Sequence, residues 1–159
     1  MLSVKISTLS LAGIVLLIAL ASVGVASANE GWGCTHGFWK NHPESWPVRT
    51  SPEQLFDGMD HDGDGDPDTY MDVLGYKGGP GVDGAMRILY RAAVAAHLNQ
   101  RGFGRHFTCS DDWIALFWEA NLSGDRGTIL ANAELIDECN NSICAKEFIQ
   151  NRINRPGPV

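Results

Sequence analysis

Apolar side chains recur at helical spacing along one long stretch in the middle of the chain, from about Asp83 to Gln100. The residues of this apolar face are Met86, Leu89, Tyr90, Ala93 and His97. Arg87 and Arg91 share the opposite face, as expected of an amphipathic helix. Because the stretch is rich in alanine, neighbouring helices can approach it closely. The pattern predicts a central helix capped by Asp83, with His97 as a hydrogen-bonded core residue.

Two further helices and a short final one are predicted after it. Ser110-Asp111-Asp112 is typical of an N-terminal cap, and Gly124 is expected to end the helix that it opens. The core positions of that helix are Trp113, Leu116, Phe117 and Ala120. Asp125 begins the next helix, which ends at Asn140-Asn141. The side chains of this helix that face the core are Ile129, Ala133 and Ile136. The last short helix is expected over residues 145–153.

The region from residue 29 to residue 82 shows no long period. Residues 29–47 are rich in Gly, Trp and Pro, and we expect an ordered but irregular segment. Ser51-Pro52-Glu53-Gln54 is typical of a helix start, which Gly58 would end after a turn or two. An acidic loop over 60–72 and a flexible glycine-rich loop over 75–81 follow. Apolar and polar residues alternate over no more than three or four positions, so the predicted fold is mainly α, a small single domain of about four helices.

The chain opens with a pattern typical of an export signal. Lys5 provides a basic start, Leu11 to Ala21 is an apolar run, and Ala26-Ser27-Ala28 supplies the small residues that a signal peptidase needs. A retained membrane anchor is the alternative, but a spanning helix needs about 20 apolar residues and this run is shorter. We therefore expect cleavage after Ala28, no stable membrane span afterwards, and a single domain over residues 29–159 that is secreted or lies at the cell surface.

The charge and the cysteines narrow the functional classes. The formal net charge is −7 and becomes −8 once Lys5 leaves with the signal. Because such a surface repels phosphate backbones, nucleic acid is excluded as the expected partner. Four cysteines in an exported chain predict two disulfides with three connectivities open. A four-thiolate zinc site is the alternative, but the nearest pair, Cys139 and Cys144, lacks the close CxxC spacing.

The sharpest local pattern lies in the acidic loop, where carboxylates occupy every second position around a glycine. This is the first half of a calcium-binding loop of EF-hand or dockerin type. The expected ligands, in the order of the loop, are Asp60, Asp62, Asp64, the Asp66 carbonyl and Asp68. The closing position holds Met71, and Asp72 comes one residue late. We predict weak Ca²⁺ binding, with a dissociation constant on the order of 0.1–1 mM; the alternative is a solvated acidic turn.

The tryptophan-rich segment admits three interpretations. The first is that its rings are buried against the helices, as aromatic side chains are in most small cores. The second is an aromatic platform for sugars made of Trp32, Trp39 and Trp46, with His42 beside it. The third is a metal site that uses His36, His42 and a carboxylate. No nucleophile motif or phosphate-binding loop is present, and we assign no catalytic residue.

The same segment carries a family resemblance. GFWKNHPESWP, residues 37–47, resembles the GYWKNHPEAWP signature of an uncharacterised domain of secreted and surface proteins of bacteria and archaea. The resemblance continues through residues 88–99 (ILYRAAVAAHLN), 123–128 (SGDRGT) and 140–144 (NNSIC). It implies one domain in which Cys34 pairs with Cys144, which leaves Cys109 for Cys139. The acidic loop and the two middle cysteines have no counterpart in the signature.

These observations lead to a functional expectation with two alternatives. We expect a non-catalytic secreted or cell-surface module, disulfide-linked and stabilised by Ca²⁺, that acts in attachment or assembly. Its candidate partners are a surface glycan or another protein. The alternatives are a carbohydrate-binding module that uses the N-terminal tryptophans and, less favoured, a metal-dependent hydrolase.

Overall fold

The structure, a computed structural model, describes residues 31–109 and 111–153. This part of the chain is mainly α-helical and contains six α-helices. They are α1 (His36–Asn41), α2 (Tyr70–Gly75), α3 (Gly81–Phe103), α4 (Trp113–Ser123), α5 (Arg126–Asn140) and α6 (Lys146–Ile153). Short 3₁₀ turns cover Pro43–Ser45 and Gly104–His106. The mainly α prediction is confirmed, but the expected number of about four helices is too low.

The 23-residue helix α3 is the centre of the fold, as its alanine-rich pattern predicts. One side packs on α4 and α5 through small side chains such as Ala92 and Ala96, against Ile129 and Ile136 of α5. The other side packs on α1, α2 and α6 and buries Leu98 and Phe103. The expected cap is wrong, because Pro80 occupies the cap position and Asp83 lies inside the first turn.

The boundaries of α4 and α5 agree with the sequence pattern. The Asp112 carboxylate accepts a hydrogen bond from the Ile114 N–H at 3.0 Å, and Gly124 ends α4 with φ = 60°. Asp125 caps α5 by accepting from the Thr128 N–H at 2.8 Å. The predicted core of α4 is only partly correct, since Ala120 is buried while Trp113, Leu116 and Phe117 are half-buried. The outward half of α4 is covered by no other described helix.

The N-terminal region contains helices that its sequence does not reveal. The tryptophan-rich segment is not irregular throughout, because Thr35 caps α1 by accepting from the Phe38 N–H at 3.1 Å. The predicted helix at Ser51 is absent, and residues 51–58 form turns and bends. The next helix is α2, which begins at Tyr70; Thr69 is its cap, and Asp72 completes a capping box. Helices of six residues have fewer than two turns, so they display no repeating apolar face.

Two disulfides tie these helices together. Cys34 before α1 is bonded to Cys144 before α6, with Cα atoms 4.6 Å apart, and Cys109 before α4 is bonded to Cys139 near the end of α5, with Cα atoms 5.1 Å apart. These are the two pairs that the family resemblance implies. A bridge between Trp32 and Ile143 lies beside the first disulfide, so both ends of the described chain meet at one side of α3.

Two expectations concern the membrane. None of the helices in the described part of the chain is both long enough and apolar enough to span a bilayer. The export signal and its cleavage site after Ala28 lie outside the described residues.

Candidate functional site

The acidic loop is closed by a short backbone ladder. The Phe56 N–H donates to the Asp68 carbonyl at 2.9 Å, and the Asp68 N–H donates to the Met59 carbonyl at 2.9 Å. On the outer side, the Tyr70 N–H donates to the Gln54 carbonyl at 2.8 Å. Asp68 is only 3% exposed, and its carboxylate accepts a hydrogen bond from the His61 N–H. The base of the loop is therefore part of the packed domain, whereas its tip lies in solvent.

Three of the predicted calcium ligands converge at this base. Asp60, Asp62 and Asp68 each offer one carboxylate oxygen, and these oxygens all lie within 4.8 Å of one another. Gly63 and Gly65 have φ values of 84° and 103°, which side chains other than glycine rarely tolerate. These two turns direct the glycine N–H groups onto the Asp60 carboxylate at 2.6 and 3.0 Å. The loop is thus folded around its own carboxylates.

The surroundings of Asp60 and Asp62 shift the pKa values of these two carboxylates in opposite directions. Hydrogen bonds from the Gly63 and Gly65 N–H groups lower the pKa of Asp60. Partial desolvation, with the neighbouring carboxylates of Asp64, Asp68 and Asp60, raises the pKa of Asp62. A cation among these oxygens would remove this repulsion, because it favours the charged form of every carboxylate near it.

The carboxylates of two further predicted ligands, Asp64 and Asp72, are not part of this group, and the Asp66 carbonyl stays a predicted ligand. The Asp64 carboxylate accepts from the Asp66 N–H at 3.0 Å, and the side chain of Asp66 is exposed. The Asp72 carboxylate is occupied at the start of α2, where it accepts from the Thr69 N–H at 2.9 Å. The structure therefore brings together the first, third and ninth positions of an EF-hand-like loop and not the fifth or the closing position.

The tryptophans of the N-terminal segment belong to the core. Trp39 is fully buried and Trp46 is 6% exposed. The Trp46 indole N–H donates to the Trp39 carbonyl at 2.8 Å, and the Trp39 indole N–H donates to the Asn99 side chain at 3.0 Å. Because neither ring offers a free face, the proposed sugar platform of three tryptophans is wrong.

Trp32 is half-buried, and it does not form a sugar-binding surface by itself. The His106 ring stacks on it with 4.6 Å between centroids, and the Phe148 ring meets it edge-on at 4.6 Å. Its neighbours therefore occupy the positions at which a sugar would have to lie.

A buried asparagine, which the sequence analysis did not identify, holds the segment in place. The Asn99 side-chain oxygen accepts from the Cys34 N–H at 2.7 Å and from the Trp39 indole. Its amide group donates to the Cys34 carbonyl at 2.9 Å and to Asn140 at 2.8 Å. Asn140 in turn donates to the Ala92 carbonyl at 2.9 Å. Every hydrogen-bonding position of the Asn99 amide is filled. The network therefore has a structural role, because it connects α1, α3 and α5.

The histidines of the segment do not form the predicted metal site. His42 pairs with Glu44 at 2.9 Å near the surface. His36 has a buried Nδ1 atom without a hydrogen-bond partner among the described residues. Burial, followed by the charge of Arg91, lowers the pKa of His36. Within residues 31–109 and 111–153, the Asp60 group is the only cluster of three or more side chains suited to a metal, and it contains no histidine.

The structure also contains a cleft that the sequence did not predict. The cleft has a volume of about 240 Å³ and lies between α3, α4 and the base of the acidic loop. Its aromatic walls are Phe56, Tyr70, Trp113, Phe117 and Trp118, and His97 lies on its α3 side. The expected hydrogen bond of His97 is absent among the described residues; the ring instead meets Tyr70 edge-on at 5.8 Å. The spacing of apolar residues along a helix indicates which face of that helix points inward. It cannot show that the facing sides of two helices, here α3 and α4, leave a gap between them.

Comparison of the chain with protein-family models, with curated proteins and with solved structures finds no match in any of the three.

Proposed function

We propose that this protein is an exported, non-catalytic module for attachment or assembly, and that Ca²⁺ bound by its acidic loop stabilises it. The observation that carries this proposal is the convergence of Asp60, Asp62 and Asp68, with oxygens within 4.8 Å of one another. A Ca²⁺–oxygen bond is about 2.4 Å long, so two oxygens on one ion are at most about 4.8 Å apart. All three carboxylates are therefore close enough to share one cation.

The chemistry of these donors suits Ca²⁺. It is a hard cation that takes about six to eight oxygen ligands from carboxylates, backbone carbonyls and water. Three carboxylates supply only part of that shell, and two of them, Asp60 and Asp62, are exposed to solvent. Water would therefore complete the coordination. An open shell of this kind is typical of weak extracellular sites.

Occupation of the loop would stabilise the whole domain because the loop base is joined to the core. Asp68 is buried beneath the loop, and the Arg87 guanidinium on α3 donates to the His61 carbonyl at 3.0 Å. A ligand that binds only the folded state raises its stability, by about 2.7 kcal/mol at 100 times the dissociation constant.

Three observations support the export and attachment parts of the proposal. The export signal pattern precedes residue 29, and disulfides of the kind seen here persist mainly outside the cytoplasm. The resemblance of residues 37–47 to a domain of secreted and surface proteins points in the same direction.

The calcium part is tested by thermal melts in excess Ca²⁺, in excess Mg²⁺ and in chelator. We expect Ca²⁺ to raise the melting temperature by several degrees and Mg²⁺ to raise it less, because Mg²⁺ gives up its water reluctantly. In Asp62→Asn the shift should be largely lost. Identical melts of the wild type in Ca²⁺ and in chelator would show that the loop is only an acidic turn.

Asp64→Asn is the matched control. It removes one charge from the same loop, keeps an oxygen that can accept from the Asp66 N–H, and lies outside the converging group. It should retain most of the Ca²⁺ shift. Equal losses in both variants would instead assign the effect to the overall loop charge.

Export is tested separately by mass spectrometry of the secreted protein. We expect the first residue within two positions of Asn29, since Ala26-Ser27-Ala28 forms the cleavage site. Intact protein with Met1 in the membrane fraction would contradict the export part and leave the calcium result unaffected.

A further inference from the structure

We propose that the aromatic cleft between α3 and α4 binds a small, uncharged, ring-containing apolar molecule, and that His97 forms the single hydrogen bond that orients it. Nothing in the calcium proposal requires this site. It uses different side chains and predicts a different ligand class.

The size and lining of the cleft determine the ligand class. An apolar cavity of about 150 Å³ in another protein holds benzene, so a cleft of about 240 Å³ has room for a molecule of one or two fused rings. Aromatic walls favour another flat ring through stacked and edge-on contacts. Phe117 and Trp118 already show such a contact, with their centroids 5.3 Å apart.

The charge of the lining excludes ionic ligands. No Asp, Glu, Lys or Arg side chain is among the lining residues in the described chain. An ammonium group placed here would lose its hydration and meet the positive charge of Arg101, which reaches His97. A carboxylate would lose its hydration without a cationic side chain in the lining to pair with it. A sugar would meet the same difficulty, because each of its hydroxyl groups needs a polar partner and the walls are almost entirely apolar.

His97 is a polar group of the lining that can both donate and accept a hydrogen bond. It is half-buried on α3, and no described residue forms a hydrogen bond with its ring. Burial, followed by the charge of Arg101, lowers the pKa of His97, which keeps the imidazole neutral near pH 7. A neutral imidazole has one nitrogen that donates and one that accepts, so it can hydrogen-bond a hydroxyl group on the ligand.

One wall of the cleft is accessible from solvent. Trp118 is 54% exposed and Ile114, at the rim, is 43% exposed. A concave site with mostly apolar and aromatic walls and a few polar groups is typical of small-molecule pockets. In contrast, Leu122 is 78% exposed on the same helix and does not line the cleft, which makes it a matched control.

The test uses the exported, disulfide-bonded protein in excess Ca²⁺ and the probe 2-naphthol. Binding is followed by the NMR signal of the indole N–H of Trp113, which also lines the cleft and is present in every variant. We expect saturable binding that Trp118→Ala weakens about tenfold and that Leu122→Ala leaves unchanged. Ile114→Glu, which places a charge at the rim, should weaken it as well and is an independent second variant.

Two analogues test the role of His97 and the exclusion of charge. 2-Methylnaphthalene lacks the hydroxyl group and should bind the wild type about three- to tenfold more weakly than 2-naphthol. His97→Leu should abolish this difference, and His97→Gln should restore part of it. 2-Naphthoate should bind at least tenfold more weakly than 2-naphthol.

The proposal is overturned if 2-naphthol gives no saturable shift up to its solubility limit, or if Trp118→Ala and Leu122→Ala weaken binding equally. It is also overturned if a disaccharide binds the cleft more tightly than 2-naphthol, or if His97→Leu keeps the preference for the hydroxyl group. Repeating the titration in chelator separates the two proposals, because a protein without a Ca²⁺ response can still bind 2-naphthol.

Discussion

Asn99 and Cys34 are 65 residues apart in the sequence, yet the Asn99 amide holds both backbone groups of Cys34. Its oxygen accepts from the Cys34 N–H at 2.7 Å, and its nitrogen donates to the Cys34 carbonyl at 2.9 Å. In an extended segment, a neighbouring β-strand usually forms these two backbone hydrogen bonds. Here one side chain of the central helix α3 forms them, at the point where the N-terminal segment enters the core.

Replacing Asn99 should be strongly destabilising. Asn99→Leu leaves the Cys34 N–H, the Cys34 carbonyl and the Trp39 indole buried without partners. Each such group costs about 1–3 kcal/mol, so we expect a loss of more than about 3 kcal/mol in the free energy of unfolding, measured by urea titration.

Asn132→Leu is the control for this variant. Asn132 is also buried, at 7% exposure, but makes one hydrogen bond, to the Leu116 carbonyl at 3.0 Å. It should lose only about 1 kcal/mol. If both variants lose the same amount, the Asn99 network contributes nothing beyond an ordinary buried amide.

Trp39 should prove structural. It is fully buried, and emptying an aromatic core site costs about 3–5 kcal/mol, so Trp39→Ala should melt far below the wild type and be secreted in lower yield. Trp118→Ala should change stability by about 0.5 kcal/mol or less, because that ring is 54% exposed. A normal melt of Trp39→Ala would contradict the assignment of the segment to the core.

The two disulfides should contribute unequally. They close loops of 110 and 30 residues, for which chain entropy gives about 4.8 and about 3.6 kcal/mol. Cys34→Ala with Cys144→Ala should therefore destabilise the protein by about 1 kcal/mol more than Cys109→Ala with Cys139→Ala. Peptide mapping without reduction should recover these two pairs, and a different pairing would remove the basis of the comparison.

Mild acid should destabilise the fold through two histidines. The pKa values of His36 and His97 are lowered in the folded protein, chiefly by burial. Arg91 and Lys40 add to this effect at His36, Asp137 opposes it, and Arg101 adds to it at His97. The unfolded chain therefore binds protons first. The stabilisation is complete above the unfolded pKa of about 6.5 and is lost as the pH falls through the folded values.

This pH dependence is measured as the urea midpoint at about pH 7.5 and about pH 5, a range above the ordinary carboxylate titration. We expect a lower midpoint at the acidic end and a smaller decrease in His97→Gln. An unchanged midpoint in the wild type would contradict the burial of neutral imidazoles.

The sequence by itself determined the features that depend on local interactions. The caps Asp112 and Asp125 and the stop at Gly124 lie where the pattern places them, because a cap is a contact between residues two or three positions apart. The inward face of α5 and the central role of α3 were also predictable, since their periods extend over several turns. The pattern of Asp60, Asp62 and Asp68 predicted where carboxylates would gather.

Only the tertiary structure decided which distant residues meet. It kept Asp72 out of the carboxylate group of the loop, because Asp72 is used to cap α2. It placed Asn99 against Cys34, and among the three interpretations of the tryptophan-rich segment it supported the burial of Trp39. It also left a gap between α3 and α4 at His97. A sequence pattern records which side of a helix is apolar, whereas packing decides whether the facing side chains close on one another or leave room for a ligand.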